Sequence, residues 1–232
     1  MSKAEFSEEI NRNWLVCKVN GREIKYAYPP VQGTHVDNYK KINEDSEIVP
    51  AEGLDISLLT QGAFSGNSPQ WKDVRDRTLI GGYTRIPSRL LWVPSNHKLE
   101  GVFVQKDTQG KGLSERMSIP ESVDGWKQQG NLYLKDDFTF VPKGVYRLRE
   151  HNQKTFSKDG LAIALLTEEG AEIFARTAYD NKRFPYNWGV DIDSLSLPER
   201  RVAYVSASRG RLNLRGDSHG DFDGFSFGIA LS

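Results

Sequence analysis

The sequence predicts an α+β fold with a twisted antiparallel sheet, two short helices and extensive loops. Three observations support this prediction. Apolar residues recur at a spacing of two in many short segments, which is the period of a strand with one buried face. Only two segments place apolar residues at helical spacing, and glycines and prolines interrupt the chain between most segments.

The composition limits the classes of function that the chain can serve. It has 232 residues with 31 basic and 31 acidic side chains, so its formal net charge is zero. A neutral chain has no global field that attracts nucleic acid or membranes, so we expect neither nucleic-acid binding nor membrane insertion. The first residues contain no apolar run typical of a secretory signal, and no run approaches the ~20 apolar residues of a membrane span. We therefore expect a soluble protein.

Residues 1–50 are predicted to form an N-terminal hairpin extension with a connecting loop, ahead of a main domain at residues 51–232. Asn20-Gly21 separates two strand-like runs and favours a type I′ hairpin turn. Residues 31–50 are polar and lack a clear period, so we expect a loop folded over the main body, with a linker as the alternative. Cys17 alternates with apolar neighbours and is expected to be a small buried hydrophobe. Because it is the single cysteine, it excludes an intrachain disulfide.

The middle of the chain is predicted to contain one helix and several strands. Leucines at helical spacing predict a short helix over residues 53–64, and residues 71–80 fit a second helical turn or irregular structure. Alternating apolar residues predict strands in three further places, at residues 89–93, 101–105 and 131–149.

A second helix is predicted to begin after Thr167. The hydroxyl of Thr167 suits an N-cap, and the two glutamates that follow suit the positive end of the helix dipole. Ala171, Phe174 and Ala175 recur at helical spacing and are expected to form its inner face. The apolar run at residues 160–166, immediately before this helix, is predicted to be a strand.

The last segment, residues 201–232, is predicted to hold three short strands with polar loops between them. Its apolar residues recur at a spacing of two and are expected to be buried: Val205, Ala207, Leu212, Leu214, Phe225, Phe227, Ile229 and Leu231. The polar residues between them are the candidate ligand-binding residues: Tyr204, Ser206, Ser208, Arg209, Arg211, Asn213, Arg215, Asp217, Ser218, His219, Asp221 and Asp223.

These candidates are expected to form a flat or shallow concave patch. The strand residues would face outward, and the loop residues from Asp217 to Asp223 would form the rim. Serine and asparagine make adaptable hydrogen bonds, whereas arginine and tyrosine supply larger contact energy. Swapping several of them is expected to leave the melting temperature nearly unchanged, because surface substitutions usually change stability by less than about 0.5 kcal/mol.

Three motifs in the last third of the chain resemble those of formylglycine-generating-enzyme-like domains, a branch of the C-type-lectin fold. Leu165–Arg176 (LLTEEGAEIFAR) resembles the L-P-T-E-A-E-W-E-x-A-A-R helix of that branch. Phe184–Gly189 (FPYNWG) resembles the Y-P-W-G that follows it, and Asp223–Gly228 (DGFSFG) resembles the N-x-G-F-R ending. The resemblance implies a C-type-lectin-like fold over residues 51–232.

The chain departs from this branch in ways that bear on enzymatic activity. Leu166 replaces the proline, Ala171 replaces the tryptophan and Ser226 replaces the arginine. The enzymes of the branch use a cysteine pair or clustered histidines, whereas this chain has one cysteine and four scattered histidines, His35, His97, His151 and His219. We therefore expect no enzymatic activity, cofactor or metal. A formylglycine-generating-enzyme-like domain with lost or altered activity is the alternative.

The chain also resembles the variable proteins of diversity-generating retroelements, which display a diversified C-terminal segment on a lectin fold in phages, bacteria and archaeal viruses. Adenine-directed mutagenesis of an asparagine codon, AAC, can yield Ser, Asp, His, Arg, Tyr or Gly, and it can also yield Leu, Phe or Ile. Every polar candidate is asparagine or one of these residues. The resemblance implies a variable region at residues 201–232 that binds a protein or cell-surface ligand, with display on a virion or a cell surface.

Three other motifs have competing interpretations. Asp217–Gly224 has the carboxylates and glycines of a calcium loop but lacks EF-hand spacing, so a solvated turn is favoured. Tyr186 and Trp188 suit stacking on a sugar, as in a carbohydrate-binding lectin domain, although such residues more often anchor a long loop onto the core. Asp107–Gly112 lacks the glycine spacing of a phosphate-binding loop and is predicted to be a hairpin turn.

Overall fold

The computed structural model describes residues 3–9, 12–19, 21–113, 115–208 and 210–231. These residues form a mixed α/β fold that is rich in sheet. The strands are β1 (Lys3–Glu9), β2 (Arg12–Val19), β3 (Arg22–Tyr28), β4 (Val31–Gly33), β5 (Ile48–Pro50), β6 (Thr84–Val93), β7 (Gly101–Lys106), β8 (Lys127–Gln129), β9 (Leu132–Lys135), β10 (Phe138–Pro142), β11 (Phe184–Trp188), β12 (Glu199–Ser208), β13 (Arg211–Ser218), β14 (Gly224–Ser226) and β15 (Gly228–Ala230). The helices are α1 (His35–Asn43), α2 (Gly53–Ser65), α3 (Pro69–Asp73), a π-helix (Val74–Ile80), α4 (Gln153–Phe156), α5 (Gly160–Leu166) and α6 (Glu168–Asp180).

The strands form two sheets. The smaller has the order β1-β2-β3-β15-β5, so it combines the N-terminal hairpin with a strand from the last segment of the sequence. The larger has the order β11-β13-β12-β6-β7-β10-β9-β8, and β14 joins it beside β6 and β4. Most pairs are antiparallel, as predicted, but β11 pairs with β13 in parallel, and so does β14 with β6. No described helix is long and apolar enough to cross a membrane.

One large apolar core joins these elements. It includes Leu15 of β2, Leu59 of α2, Trp92 of β6, Phe174 of α6 and Leu214 of β13, each fully buried. Burying a side chain of this size stabilises the fold by about 1.5–3 kcal/mol. The core therefore covers one face of the large sheet. On the other face, β12 and β13 carry polar side chains, whereas a second apolar cluster lies on β6, β7 and β10.

The N-terminal hairpin is confirmed. Strands β2 and β3 pair in antiparallel register, and Gly21 has a positive φ of 80°, as the turn requires. Asn20 lies outside the described residues. Cys17 is buried, as predicted, and burial raises the pKa of its thiol to about 11. Because Cys17 and Tyr26 belong to the main core, the hairpin packs against the body of the protein; the division at residue 50 stays a prediction.

The predicted loop over residues 31–50 is wrong, because this segment forms β4, α1 and β5. The hydroxyl of Thr34 caps α1 by accepting a hydrogen bond from the amide of Asp37, at 3.2 Å. The buried residues of α1 follow helical spacing, but two of the four are polar: His35, Asn38, Tyr39 and Ile42. A search for apolar periodicity therefore misses this helix.

The helix over residues 53–64 is confirmed as α2, but the total of two helices is wrong because the described residues contain six α-helices. The run at residues 160–166 is helix α5 rather than a strand. Asp159 caps it by accepting hydrogen bonds from the amides of Leu161 and Ala162, at 3.0 and 3.2 Å. A short apolar run that is buried on most sides has no period to separate helix from strand.

Helix α6 begins where the sequence predicts. The hydroxyl of Thr167 accepts a hydrogen bond from the amide of Gly170 at 3.2 Å, and the expected inner face is fully buried. The strands at residues 89–93 and 101–105 are confirmed within β6 and β7, whereas residues 131–149 supply β9 and β10. Asp107–Gly112 is not a hairpin turn, because β7 pairs with β6 and β10 and not with β8.

Candidate ligand-binding face

Polar side chains of β12 and β13 lie together on one face of the large sheet. The antiparallel register sets them opposite one another in three pairs: Tyr204 with Arg215, Ser206 with Asn213, and Ser208 with Arg211. The residues between them point to the other face, where they are buried in the core: Val205, Ala207, Leu212 and Leu214. The predicted burial is confirmed for these four residues, whereas the same prediction is wrong for Leu231, which is 57% exposed. We call the side that carries the three pairs the polar face.

Strand β11 extends the polar face with aromatic rings. Its parallel register aligns Tyr186 with Asn213 and Trp188 with Arg215. Both rings therefore lie on a strand rather than anchoring a loop. Phe184, Tyr186 and Trp188 alternate at a spacing of two, and this signal could have predicted the strand from sequence.

Two arginines stack on the aromatic rings of the polar face. The guanidinium of Arg211 lies 4.6 Å from the ring centroid of Tyr186. The guanidinium of Arg215 lies 5.1 Å from the ring of Trp188 and 5.3 Å from that of Tyr204, so it sits between the two. Each such contact contributes about 0.5–2 kcal/mol, and together they hold the planar groups in fixed positions.

The centre of the polar face is a buried floor. Ser206 is 7% exposed, Asn213 is 5% exposed and Tyr204 is 7% exposed, so the expectation that all the strand residues would be freely exposed is wrong for these three. The side-chain amide of Asn213 donates to the hydroxyl of Ser208 at 3.2 Å, and its carbonyl accepts from the indole of Trp188 at 3.2 Å. The floor is therefore held by its own hydrogen bonds.

Two adjoining cavities of about 240 and 260 Å³ open on this floor. The first is lined by Tyr83, Arg85, Tyr204, Arg215, Ser218 and Phe222. The second is lined by Gly81, Tyr83, Trp188, Ser206, Asn213 and Arg215. Tyr83 and Arg215 line both cavities, and the ring of Tyr83 packs edge-on against Tyr204 with 4.7 Å between centroids. The surface is therefore concave and divided by one tyrosine and one arginine.

A buried arginine holds the rim. The side chain of Arg85 is 1% exposed and donates hydrogen bonds to the carbonyl oxygens of Gly220, at 3.3 Å, and Phe222. At the start of the rim, both carboxylate oxygens of Asp217 accept from Arg215, at 3.1 and 2.7 Å. These contacts fix the path of the loop that follows β13.

The rim also bears on the calcium interpretation. The carboxylate of Asp217 is engaged by Arg215, and the Arg85 guanidinium occupies two loop carbonyls that a cation would need. Within the described ranges, no group of three or more His, Cys, Asp or Glu side chains is placed to hold a metal ion. Both observations favour a structured turn.

The structure brings the remaining candidates together at this end of the sheet. Ser218 is half-buried, and its hydroxyl accepts a hydrogen bond from the Gly220 amide at 3.1 Å. His219, Asp221 and Asp223 are exposed on the rim. Arg209 lies outside the described residues.

Sequence reasoning missed three residues of this site. Tyr83 immediately precedes β6 and Arg85 lies in it, more than a hundred residues before the last segment, and only their spacing of two indicates a shared face. Phe222 lies on the rim and is 65% exposed, which is unusual for an aromatic ring. The sequence of the turn does not indicate this exposure.

A buried histidine–aspartate pair supports the rim from behind. His35 was expected to be a loop residue, but it begins α1 and is 1% exposed. Its Nε2 lies 2.9 Å from Oδ2 of Asp107, and its backbone amide donates to the carbonyl of Gly220 at 3.1 Å. Asp107 also accepts from the amides of Lys111 and Gly112, at 2.8 and 2.7 Å. One pair therefore ties α1, the turn after β7 and the rim together.

The environment of His35 disfavours its protonation. Burial lowers the pKa of His35, and the nearby arginines Arg85 and Arg89 lower it further, against the opposing effect of Asp107. The ring of Tyr39 covers one side of the imidazole, with 4.8 Å between centroids. Among the described residues no partner meets Nδ1, so a proton there would be buried without an acceptor.

We expect the stability of the protein to fall as the pH drops below about 6.5, the pKa of an unperturbed histidine. Since the pKa of His35 is lower in the folded state, the unfolded state binds the proton first. The free energy of unfolding is therefore not reduced by His35 above pH 6.5. As the pH falls from there towards the lower pKa of the folded state, it decreases by at most about 1.4 kcal/mol per pH unit. Urea denaturation between pH 7.5 and 5 measures the slope of the free energy of unfolding against pH.

Two variants separate this histidine from the others. His35→Gln should flatten the slope in this range, whatever its effect on absolute stability. His219→Gln, on the exposed rim, should leave the slope of the wild type unchanged. An unaltered slope in His35→Gln would show that another group titrates.

Comparisons with known proteins give one structural likeness. No protein family and no curated protein matches the chain. A solved structure, described as showing accommodation of massive sequence variation in Nanoarchaeota by the C-type lectin fold, aligns over 93% of this chain and 100% of its own, with a TM-score of 0.49 and 8% sequence identity.

Proposed function

We propose that this chain is a binding protein without enzymatic activity, and that it recognises a protein or cell-surface ligand on the polar face. One observation carries the proposal: two arginines and four aromatic rings lie together on the polar face, and three of these rings line its concave floor with Arg215. The rings belong to Tyr83, Tyr186, Trp188 and Tyr204. Tyr, Trp and Arg are the residue types that contribute most to binding at interfaces.

The rigidity of the polar face lowers the cost of binding. Arg215 is held between Trp188 and Tyr204 and is paired with Asp217 before any ligand arrives. Side chains that are already ordered lose little conformational entropy in a complex. A ligand can therefore gain contact energy from these groups without ordering them first.

The exposed positions around the floor support the second part of the proposal, that the surface is diversified. Ser208, His219, Asp221 and Asp223 are exposed. Substitutions there remove few internal contacts, whereas the buried floor must be kept for the rings and arginines to stay in place. We infer that variation is concentrated on these four positions.

We also propose that the scaffold is C-type-lectin-like. The support is the order of the three motifs in the structure. Helix α6, whose sequence resembles the helix of that fold, precedes edge strand β11, and β14 inserts between β4 and β6 near the end of the sequence. The apolar residues of β12 and β13 pack onto the core that contains α6.

A display library tests the binding proposal. Ser208, His219, Asp221 and Asp223 would be randomised together and selected against lysozyme as an arbitrary folded target. We expect binders whose unfolding free energies lie within about 1–2 kcal/mol of the parent, because surface substitutions cost about 0.5 kcal/mol or less each. Selection and thermal denaturation measure the two outcomes.

A second library serves as the control. It would randomise four exposed positions far from the polar face, on β8 and β9: Lys127, Gln128, Gln129 and Lys135. We expect no binders of comparable affinity from it, since it lacks the rigid rings and arginines. Equal yields from both libraries, or unfolding of most variants of the first, would contradict the proposal.

The DNA around the coding sequence tests diversification separately. We expect a near-copy of the 3′ segment, which differs from it only at adenines, beside a gene for a reverse transcriptase. Absence of such a copy from the complete genome would exclude the retroelement while leaving the binding proposal to the library experiment.

A further inference from the structure

We propose that a second site binds a small ligand that carries two or more phosphate or sulfate groups. This site is a basic cleft formed by the segment that connects β10 to α5. The cleft has a volume of about 600 Å³, within the usual size range of small-molecule sites. Four cationic side chains line it: Arg147, Arg149, Lys154 and Lys158. We call it the basic cleft.

The four cations of the basic cleft are not neutralised within the protein. Among the described residues, their side chains make no hydrogen bond or ion pair. Two carboxylates, those of Glu150 and Asp159, also line the cleft, but neither forms an ion pair with these four cations. Glu150 lies 3.8 Å from the guanidinium of Arg211, on the polar face, and Asp159 is buried below the cleft.

A network of buried polar groups fixes the floor of the basic cleft. Asp159 accepts hydrogen bonds from the amide of Arg147, at 2.8 Å, and from the side chain of Asn187, at 2.8 Å. The ring of His151 is 5% exposed, and its Nε2 donates to the carbonyl of Arg147 at 3.0 Å. The backbone that carries Arg147 is therefore held at both its amide and its carbonyl.

The cations line one cleft of about 600 Å³, and like charges repel one another where they lie within the screening length, about 8 Å at physiological salt. The whole chain is neutral, so this local excess of positive charge is not part of a general basic surface. A ligand with several anionic groups relieves the repulsion and forms charge-assisted hydrogen bonds, for which the forked guanidinium of arginine is well suited. The limited volume of the cleft favours a compact ligand over a polymer.

Calorimetric titration with tripolyphosphate at 50 and 150 mM salt tests the proposal. We expect the wild type to bind, more weakly at the higher salt concentration. The double variant Arg149→Gln/Lys158→Gln should bind about tenfold more weakly or worse, since it removes two of the four cations. Neither residue makes a described internal side-chain contact, so both proteins should have the same melting temperature.

A matched control has the same net charge. The variant Lys127→Gln/Lys135→Gln removes two exposed lysines from β8 and β9 and should bind tripolyphosphate like the wild type. A sulfated disaccharide as competitor distinguishes the source of the anion: displacement of tripolyphosphate indicates a site for clustered charge, and failure to displace it indicates a preference for phosphate.

Three results would overturn the proposal. They are the absence of binding to the wild type at 50 mM salt, equal weakening in both double variants, and tighter binding of duplex DNA than of tripolyphosphate. The second would show that binding follows net charge alone, and the third that the ligand is a polymer.

Discussion

Replacing Asp107 with alanine is expected to destabilise the protein by about 3–5 kcal/mol, which is a large part of the stability of an ordinary domain. Three donors converge on this carboxylate: the imidazole of His35 and the amides of Lys111 and Gly112, at 2.7–2.9 Å. Asp107 is 2% exposed, so water would not readily replace it. Alanine would leave three donors without this acceptor, and for the two buried ones, the His35 imidazole and the Gly112 amide, the loss costs about 1–3 kcal/mol each.

Urea denaturation at pH 7.5 measures this loss, and two variants show where it comes from. Asp107→Asn keeps one acceptor oxygen and should cost clearly less than alanine. Asp124→Ala removes an exposed carboxylate and should stay within about 0.5 kcal/mol of the wild type. If Asp107→Ala also stayed within that range, the pair with His35 would not support the fold.

The loss at Asp107 should extend to the polar face. His35 donates to the carbonyl of Gly220 through its amide, and Arg85 holds the same carbonyl from the other side. The rim is therefore fixed by groups from α1 and β6, neither of which belongs to the last segment of the sequence. We expect its flexibility to rise in Asp107→Ala even where the protein remains folded.

Local sequence patterns predict the parts of this molecule that depend on neighbours in the sequence. The alternation of Val205, Ala207, Leu212 and Leu214 predicts both strands and their buried face, because side chains alternate across a strand. Thr167 predicts the start of α6 because a cap is made within a few residues of itself. The candidate residues of β12 and β13 come together for the same reason.

The missed parts depend on contacts between distant segments. Helix α1 buries His35 and Asn38, and the side-chain Nδ2 of Asn38 donates to the carbonyl of Gly224, which lies 186 residues later. A polar residue is buried at acceptable cost only when its partner is present, and the sequence does not show that partner. Arg85 could not be predicted as a site residue for the same reason, because its buried guanidinium donates to two carbonyls of the distant rim.

The binding face itself combines both kinds of information. Sequence alternation identifies Ser206 and Asn213 as polar positions, but the indole of Trp188, from a different strand, converts them into a buried floor. Their substitution should therefore cost more stability than that of Ser208 or His219, which are exposed. Burial after folding, rather than polarity in the sequence, separates the floor from the variable rim.

Replacing Gly53 with alanine is expected to cost about 3 kcal/mol or more, through direct steric conflict. A Cβ atom at this position would lie 2.0 Å from the carbonyl oxygen of Leu165 and 2.7 Å from the Cα of Leu166. Both atoms belong to the backbone at the end of α5, so no side chain can rotate away. Either α2 or α5 must move, and both contribute fully buried leucines to the main core.

The comparison with Gly125→Ala separates this conflict from backbone strain. Gly125 has a φ of 77°, but nothing lies within 4 Å of its added Cβ atom, so alanine there should cost only about 1–2 kcal/mol. Gly53 has no such positive φ, and its whole cost must come from the contact with α5. Denaturation of the two variants in parallel should therefore rank Gly53→Ala as the less stable. The opposite order would mean that α2 and α5 separate easily, and that the close approach of these helices contributes little to the stability of the sheet they cover.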